Sequence, residues 1–520
     1  MDKFFSNPKS SPENTKMNSS ELQLHLESIR KDLLFPTIHS MLVNGTTRET
    51  TLRYISEILR RNKDRSQLQS DERLVSGDGF LMNLLSVLQM LSVKIRRDKI
   101  EPLYQFHPQS LVPLKKDESR IKYTSTEAEN WLSELTSKES HEWNTPNFTT
   151  ECFFLALHCH HLSVIPCQRK YIRRIRAIRD MTRYIEELNQ SAQKYPFLPP
   201  NHNNKIKKLR EQVKKLQKAK ACSEAGLVDE RLLGRSLAFY NQMIGLLLKT
   251  INCENHSTIG LPLPQKVPEV FAAYPEWFIE DIAEFLLFVI QYCPQVLDSN
   301  NPNYDSVNSQ DLIVFLIVMI CSPHFISNPY LTAKFIEVMF VSSPILHNYT
   351  QEFYVQILSH SLAEIHLAPS LMKFYTDIES TGASSEFYDK FSIRYHISII
   401  FKSLWTHSIH KMAIVEESKS GKQFVRFVNM LMNDTTFLLD ESLDSLKRIH
   451  EIQEEMKDTN NWNKQSREQQ VSRQRVLQND ERQCRSYLTL ASETVDMLHY
   501  LTETIREPFM KPVSPLIIYF

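Results

Sequence analysis

Glycine is nearly missing: there are nine in 520 residues, where an average chain carries about 7%. Parallel α/β folds and β-sandwiches use glycine in turns, bulges and phosphate loops, so this scarcity points to a chain that is almost all helix. Long apolar runs are lacking too. The most apolar stretch, LIVFLIVMIC from Leu312 to Cys321, is ten residues long, and a helix that spans a bilayer needs about twenty. The N-terminal MDKFFSNPKSSPENTKMNSS has no apolar centre of the kind a signal peptide requires. Residues 1–20 therefore read as a disordered polar tail, and the chain as a soluble protein with no membrane partner.

Net charge is also absent. Lys+Arg and Asp+Glu are both 61, so no global field draws the protein to nucleic acid or an anionic membrane, and any such role would rest on a local patch. The eight cysteines, at 152, 159, 167, 222, 253, 293, 321 and 484, include no C-x-x-C pair. That scatter is expected of reduced thiols in the cytosol or nucleus. The sequence has no G-x-S-x-G, H-E-x-x-H, phosphate-loop G-K-[ST] or G-x-G-x-x-G motif, so nothing local specifies an enzyme or calls for a cofactor.

What is present is helical periodicity broken by short punctuation. Stretches 21–36, 79–97, 229–251, 275–294, 310–323 and 331–344 repeat apolar residues at three and four, and the last three end at Pro294, Pro323 and Pro344. Proline stops a helix because it lacks the N–H donor and crowds the preceding turn. Medium-length helices with proline turns predict an all-α fold, an elongated armadillo- or HEAT-like solenoid in which each helix pair meets mainly its neighbours. No residue-level repeat supports it; the expectation is architectural. The run 312–321, apolar on all sides, is expected inside, and the striped SLDSLKRIHEIQEEMKD (442–458) at the surface.

One insertion breaks this pattern. YPFLPPNHNN (195–204) reads as a loop, and KIKKLREQVKKLQKAK (205–220) as a helix with Ile206, Leu209, Val213 and Leu216 at heptad spacing. Paired with 170–190 it predicts a projecting basic hairpin around 169–220. A second charged helix pair is expected across 433–458 and 464–486.

ECFFLALHCHHLSVIPCQRKYIRRIRAIRD (151–180) gathers Cys152, His158, Cys159, His160, His161 and Cys167, which raises the question of a metal. Thr149 can cap the helix, Phe148 and Phe153 can staple it, and Pro166 is expected to end it. Consecutive residues on a helix project about 100° apart, so His158 to His161 fan around the axis; only His158 and His161 share a face, whereas tetrahedral zinc needs four converging ligands. The pattern favours buried histidines satisfied by neighbours over a metal site. After Pro166, Arg169, Lys170, Arg173, Arg174, Arg176, Arg179 and Arg183 crowd one helix, with Ile172, Ile175, Ile178, Met181 and Ile185 as its apolar stripe. Residues 205–220 add eight basic side chains against Glu211 alone. Such a face could hold phosphates, but no interleaved aromatics or recognition motif accompany it, and a charge run is usually a solvated face. Cys484, between Arg482 and Arg485, could be activated by their charge, yet no partner histidine is assignable, so a structural thiol is the reading.

Several stretches together resemble one family, the ubiquitin chain-elongation factors, which are U-box ligases, and the animal-type members more than the fungal ones. The resemblance rests on GDGFLMNLLSVLQMLSVKI (77–95), NFTTECFFLALHCHHLSVIPCQRKYIRRIRAIRD (147–180), ACSEAGLVDERLL (221–233), VPEVFAAYPEWFIEDIAEFLLFVIQYCPQ (267–295) and NPYLTAKFIEVMF (328–340). It continues through 369–405, 421–456 and 485–509. It implies that residues 21–520 are the helical core of such a factor. It also implies a transferase that extends short ubiquitin chains for proteasomal degradation, including degradation of endoplasmic-reticulum clients, in cytoplasm and nucleus. The implied partners are a ubiquitin-conjugating enzyme, ubiquitylated substrates, proteasome shuttle factors and the AAA segregase (valosin-containing protein). In the family the core continues through further helices to a zinc-free U-box with an Asp-Pro-rich opening. This sequence has no Asp-Pro dipeptide and stops at REPFMKPVSPLIIYF.

The leading expectation is therefore a ligase core that is inactive on its own, with no catalytic, cofactor or metal residue to name and a binding face unknown from sequence. A second is a non-enzymatic helical scaffold competing for the same partners. A third, the nucleic-acid binder, predicts salt-dependent binding abolished by neutralising Arg173, Arg174, Lys207 and Lys208.

Overall fold

The computed structural model describes residues 12–67, 70–115, 117–137, 143–194, 202–298, 309–378, 387–420, 422–506 and 509. The chain is all-α, and its helices pack chiefly on their sequence neighbours as a solenoid. Among the described residues the one extended pairing is an isolated bridge between Arg120 and Pro275.

Two compact units divide the chain. The first comprises 1–259, 264–315 and 325–328, the second 260–263, 316–324 and 329–520. In chain order the helices of the first are α1 Pro12–Ser28, α2 Phe35–Val43, α3 Gly45–Arg61, α4 Asp78–Ser92, α5 Ser125–Ser137, α6 Phe148–Lys194, α7 His202–Leu227, α8 Glu230–Thr250 and α9 Trp277–Tyr292. Helix α10, Ser309–Cys321, runs from the first unit's residues into the second's. The second continues with α11 Pro329–Val341, α12 Gln351–Leu358, α13 Ser361–Asp377, α14 Phe387–Thr406, α15 Ser408–Ser420, α16 Lys422–Lys457 and α17 Arg467–Thr504.

The proline punctuation holds at 294, 323 and 344: α9, α10 and α11 end at Tyr292, Cys321 and Val341. The apolar run Leu312 to Cys321 is buried on every side, as its composition requires. At the N-terminus one expectation moves. Helix α1 starts at Pro12, inside the expected tail, because proline's fixed φ and missing donor suit a first helical turn; residues 1–11 lie outside the described residues. The periodic stretch 21–36 also continues past Pro36, which enters at the start of helix Phe35–Val43. Ile29–Leu34 form a π turn in which Phe35 N–H reaches back five residues to Arg30 O, so the i→i−4 ladder is already broken where Pro36 enters.

Pro166 gives the largest departure. The expected break is absent, and α6 runs unbroken for 47 residues with Pro166 inside it. Proline cannot donate to the carbonyl four residues back, which leaves Leu162 O without its helical bond. Arg65 supplies the replacement: its Nε donates to Leu162 O at 2.8 Å, Nη1 to Ser76 O at 2.6 Å and Nη2 to Asp78 Oδ1 at 2.6 Å, with the whole side chain 3% exposed. The α6 cap also differs. The helix begins at Phe148, and it is Asn147 Oδ1, rather than Thr149, that accepts from Thr150 N–H at 2.7 Å. Phe148 is exposed beneath the Arg48 guanidinium, 5.3 Å from its ring centre.

The hairpin forms as its two stripes require. Ile178, Met181, Ile185 and Leu188 of α6 pack against Ile206, Leu209 and Val213 of α7, a small core drawn from these two helices alone. The expected loop at 195–204 falls mostly outside the described residues, and α7 begins at His202. In the second unit α16 and α17 form the other long pair. Ser466 opens α17 with a reciprocal capping box to Gln469, and Phe391, Leu438, Tyr487 and Ala491 make a core beneath the pair. The 442–458 stripe is the C-terminal half of α16, outward-facing apart from Ser442, Ser445 and Ile452.

Among the described residues no single helix is long and apolar enough to cross a membrane. One bent pair, Asp78–Ser92 with Arg97–Phe106, passes on length and composition; Leu81, Leu85, Val87 and Leu88 of that pair are buried in the fold.

Candidate functional site

The four-residue run His158, Cys159, His160, His161 sits mid-way along the buried part of α6, and its three histidines hydrogen-bond different partners. His160, fully buried, donates from Nδ1 to Ala156 O at 2.8 Å, so its Nε2 accepts from Gln89 Nε2 at 3.0 Å. Gln89 Nε2 also donates to Ser236 Oγ at 2.8 Å, whose hydroxyl in turn donates to Leu232 O. The ring stacks on Phe239 at 4.4 Å. His158 donates from Nε2 to Gln105 Oε1 at 3.3 Å and meets Trp277 edge-on. His161 lies flat on the same Trp277 at 4.1 Å and bonds Asp281 Oδ2 at 2.8 Å through Nδ1. Burial pushes the Asp281 carboxyl up, and the His161 ring offsets only part of that rise.

The fan expected from helical geometry is therefore what forms, and among the described residues no three His, Cys, Asp or Glu side chains gather where they could share a metal ion. Cys152, Cys159 and Cys167 are buried, and burial pushes all three thiols up to about 12. Cys484 is 3% exposed and turned from its arginine neighbours toward Ser442 O at 3.8 Å, in the seam between α16 and α17. These are the surroundings of packing thiols, not of nucleophiles.

The basic face is thinner than the residue count suggests. Arg169 grips Glu284 with two bonds of 2.8 and 3.0 Å, and Lys170 pairs with Glu72 at 3.0 Å and Asp78 at 3.1 Å. Arg174, expected on the outer face, turns inward and donates to Ser223 Oγ. Three of the seven basic residues from Arg169 to Arg183 are thus tied into the fold, because an arginine on the flank of an amphipathic helix reaches partners beside its apolar stripe. Exposed cations remain at Arg176, Arg179 and Arg183 and along α7 at Lys207, Lys208, Arg210, Lys214 and Lys215. The aromatic that accompanies them is Tyr184, and Lys205 covers it, donating to its hydroxyl at 2.6 Å.

Among the described residues these histidines, cysteines and basic side chains do not converge on a reacting centre. The family model for the ubiquitin elongating factor core matches residues 1–514. The chain belongs to that family. Elongating factor cores with similar sequence include the probable ubiquitin conjugation factor E4 of Arabidopsis thaliana, 27% identical over 94% of this chain and 50% of its own length. The ubiquitin conjugation factor E4 ufd-2 of Caenorhabditis elegans is 27% identical over 95% and 48%, and the ubiquitin conjugation factor E4 of Schizosaccharomyces pombe 28% over 98% and 50%. Identity to these three does not set the animal relative ahead of the fungal one. The chain spans about half the length of the curated relatives it matches.

The buried His160 and half-buried His158 of this elongating factor core should make its stability depend on pH. Burial lowers His158 from 6.5 to about 3 and His160 to about 4. A histidine whose folded pKa is depressed stabilises the fold in full above its unfolded value. As pH falls below 6.5 the unfolded chain binds the proton first, so stability drains away until the folded pKa is reached. At pH 5.5 each ring should therefore cost about 1.4 kcal/mol. The melting temperature is expected to fall between pH 7.5 and 5.5, and His160→Gln to flatten that fall. An equal slope in the variant would show that His160 is not one of the groups responsible.

Proposed function

We propose that this chain is the positioning core of a ubiquitin-chain-elongating ligase. It would hold an already ubiquitylated substrate so that a ubiquitin-charged conjugating enzyme can reach an acceptor lysine. The observation that supports this reading is the match of residues 1–514 to the elongating factor core, end to end along a helical solenoid. Ligases that act by placing two reactants together need no nucleophile of their own; the gain comes from holding the reacting groups at close range and in register. The surroundings of His158, Cys159, His160, His161 and Cys484, each turned into packing, agree with such a role.

In this reading the core's partners are ubiquitylated substrates, proteasome shuttle factors and the AAA segregase (valosin-containing protein), in cytoplasm and nucleus, and its output is proteasomal degradation. In this reading the core supplies placement and leaves docking of the conjugating enzyme to a separate module, as the family resemblance implies. The 520-residue chain should then bind a ubiquitylated acceptor without extending it. Incubation with activating enzyme, conjugating enzyme, ubiquitin, ATP and a mono-ubiquitylated acceptor tests this. The expected result is capture of the acceptor with no chain growth, and competition when full-length ligase is added. Chain extension by the 520 residues alone would overturn the division of labour, and failure to bind the acceptor would overturn the placement role.

A further inference from the structure

Within the first unit, α1, the π turn after it, α4, α6 and α7 enclose a cavity of about 310 Å³, near the lower end of the range for small-ligand pockets. Leu26, Met82 and Leu227 form an apolar wall, and Arg174 and Arg30 supply cations. Gly79, at the start of α4, and Gly226, at the end of α7, also line it. An added Cβ at either would meet nothing within 4 Å, so the space beside both backbones is open.

The charges around it are unevenly matched. Asp78, the acid on the lining, is already held by Arg65 at 2.6 Å and Lys170 at 3.1 Å. Among the described residues Arg174 meets Ser223 Oγ and no carboxylate. Arg30 is 1% exposed; its Nε donates to Asn83 Oδ1 at 2.9 Å, while Nη1 makes no hydrogen bond and stands 3.8 Å from Asp229 Oδ2. Nothing in the lining other than Asp78 would repel an anion, and a guanidinium offers a carboxylate two parallel donors.

We propose that this cavity is a binding site for a small aliphatic carboxylate, with its branched apolar body against Leu26, Met82 and Leu227 and its carboxylate on Arg174. The site stands apart from the positioning role, and neither depends on the other.

The test uses the 520-residue chain and 4-methylpentanoate as probe, with binding read by ligand-detected NMR titration. Saturable binding is expected, weakened at least about tenfold in Arg174→Met and for the uncharged 4-methylpentanamide, since each removes a charge-assisted hydrogen bond. Gly226→Leu fills the space and should abolish binding; an added Cβ there meets nothing within 4 Å, so the variant should fold, as far-ultraviolet circular dichroism would verify. Gly226→Ala, too small to fill it, should keep binding. Absence of saturable binding to the wild-type chain would overturn the proposal, and so would equal affinity in a folded Gly226→Leu variant.

Discussion

Replacing Arg65 by methionine is expected to destabilise the first unit by about 3 kcal/mol, because the buried guanidinium gives up two carbonyl acceptors and one half-exposed carboxylate. Methionine keeps the length and apolar stem of the side chain and deletes only the guanidinium. Three acceptors then lose their donors together: Leu162 O, Ser76 O and Asp78 Oδ1. Asp78 keeps Lys170 at 3.1 Å, which limits the loss. Burial alone would raise its carboxyl; the Arg65 bond and the Lys170 charge hold it below the ordinary carboxylate range. In a unit of this size the melting temperature should fall by about 10 °C. The sharper test is a cycle with Pro166→Ala. In the wild type, the restored N–H meets a carbonyl that Arg65 already occupies, so the gain should be small. In the Arg65→Met background the same N–H finds Leu162 O empty, and the gain should be larger by about 1 kcal/mol. Equal effects of Pro166→Ala in both backgrounds would mean that Arg65 does not stand in for the missing helical bond.

That exchange also shows where sequence reading stops. Pro294, Pro323 and Pro344 follow the ends of their helices by two or three residues, as local chemistry alone predicts. Pro166 obeys the same chemistry with a different outcome, since its substitute donor, Arg65, lies 97 residues before Leu162, a distance that no window along the chain covers. The hairpin was legible because both of its stripes are local periodicities, Ile178, Met181 and Ile185 on one helix and Ile206, Leu209 and Val213 on the other. The fate of the histidines was half legible. Successive 100° steps told that His158 to His161 diverge, but not that Gln105, Gln89 and Asp281 would receive three of them. The basic face misled for the opposite reason: counting arginines gives charge, not direction, and Arg174 points inward to Ser223.

In the second unit, Arg394→Met is expected to cost about 3–5 kcal/mol, through a junction of three helices. Arg394 on α14 is 2% exposed; its Nη1 donates to Asp434 Oδ1 on α16 at 2.7 Å, and Tyr375 OH on α13 donates to Asp434 Oδ2 at 2.7 Å. Arg394 Nε also donates to Tyr375 O at 3.3 Å, within the last turn of α13, and the guanidinium lies 5.0 Å from the Tyr375 ring centre. Carbonyls in a final turn have no helical donor, and a cation there meets the negative end of the helix dipole. One guanidinium thus neutralises a buried carboxylate and closes a helix end. Removing it strands Asp434 as a charge in a dry site. Asp434→Asn alone should also destabilise, because the buried Arg394 guanidinium loses its carboxylate while the amide oxygen can still accept one of the two bonds. The double variant Arg394→Met/Asp434→Asn should then be more stable than Arg394→Met, with a coupling of at least about 1.5 kcal/mol. Urea titrations of the four chains measure it directly. Additive losses would show that Arg394 acts by packing alone, and a single-variant loss below about 1 kcal/mol would show that water reaches Asp434 when the arginine is gone.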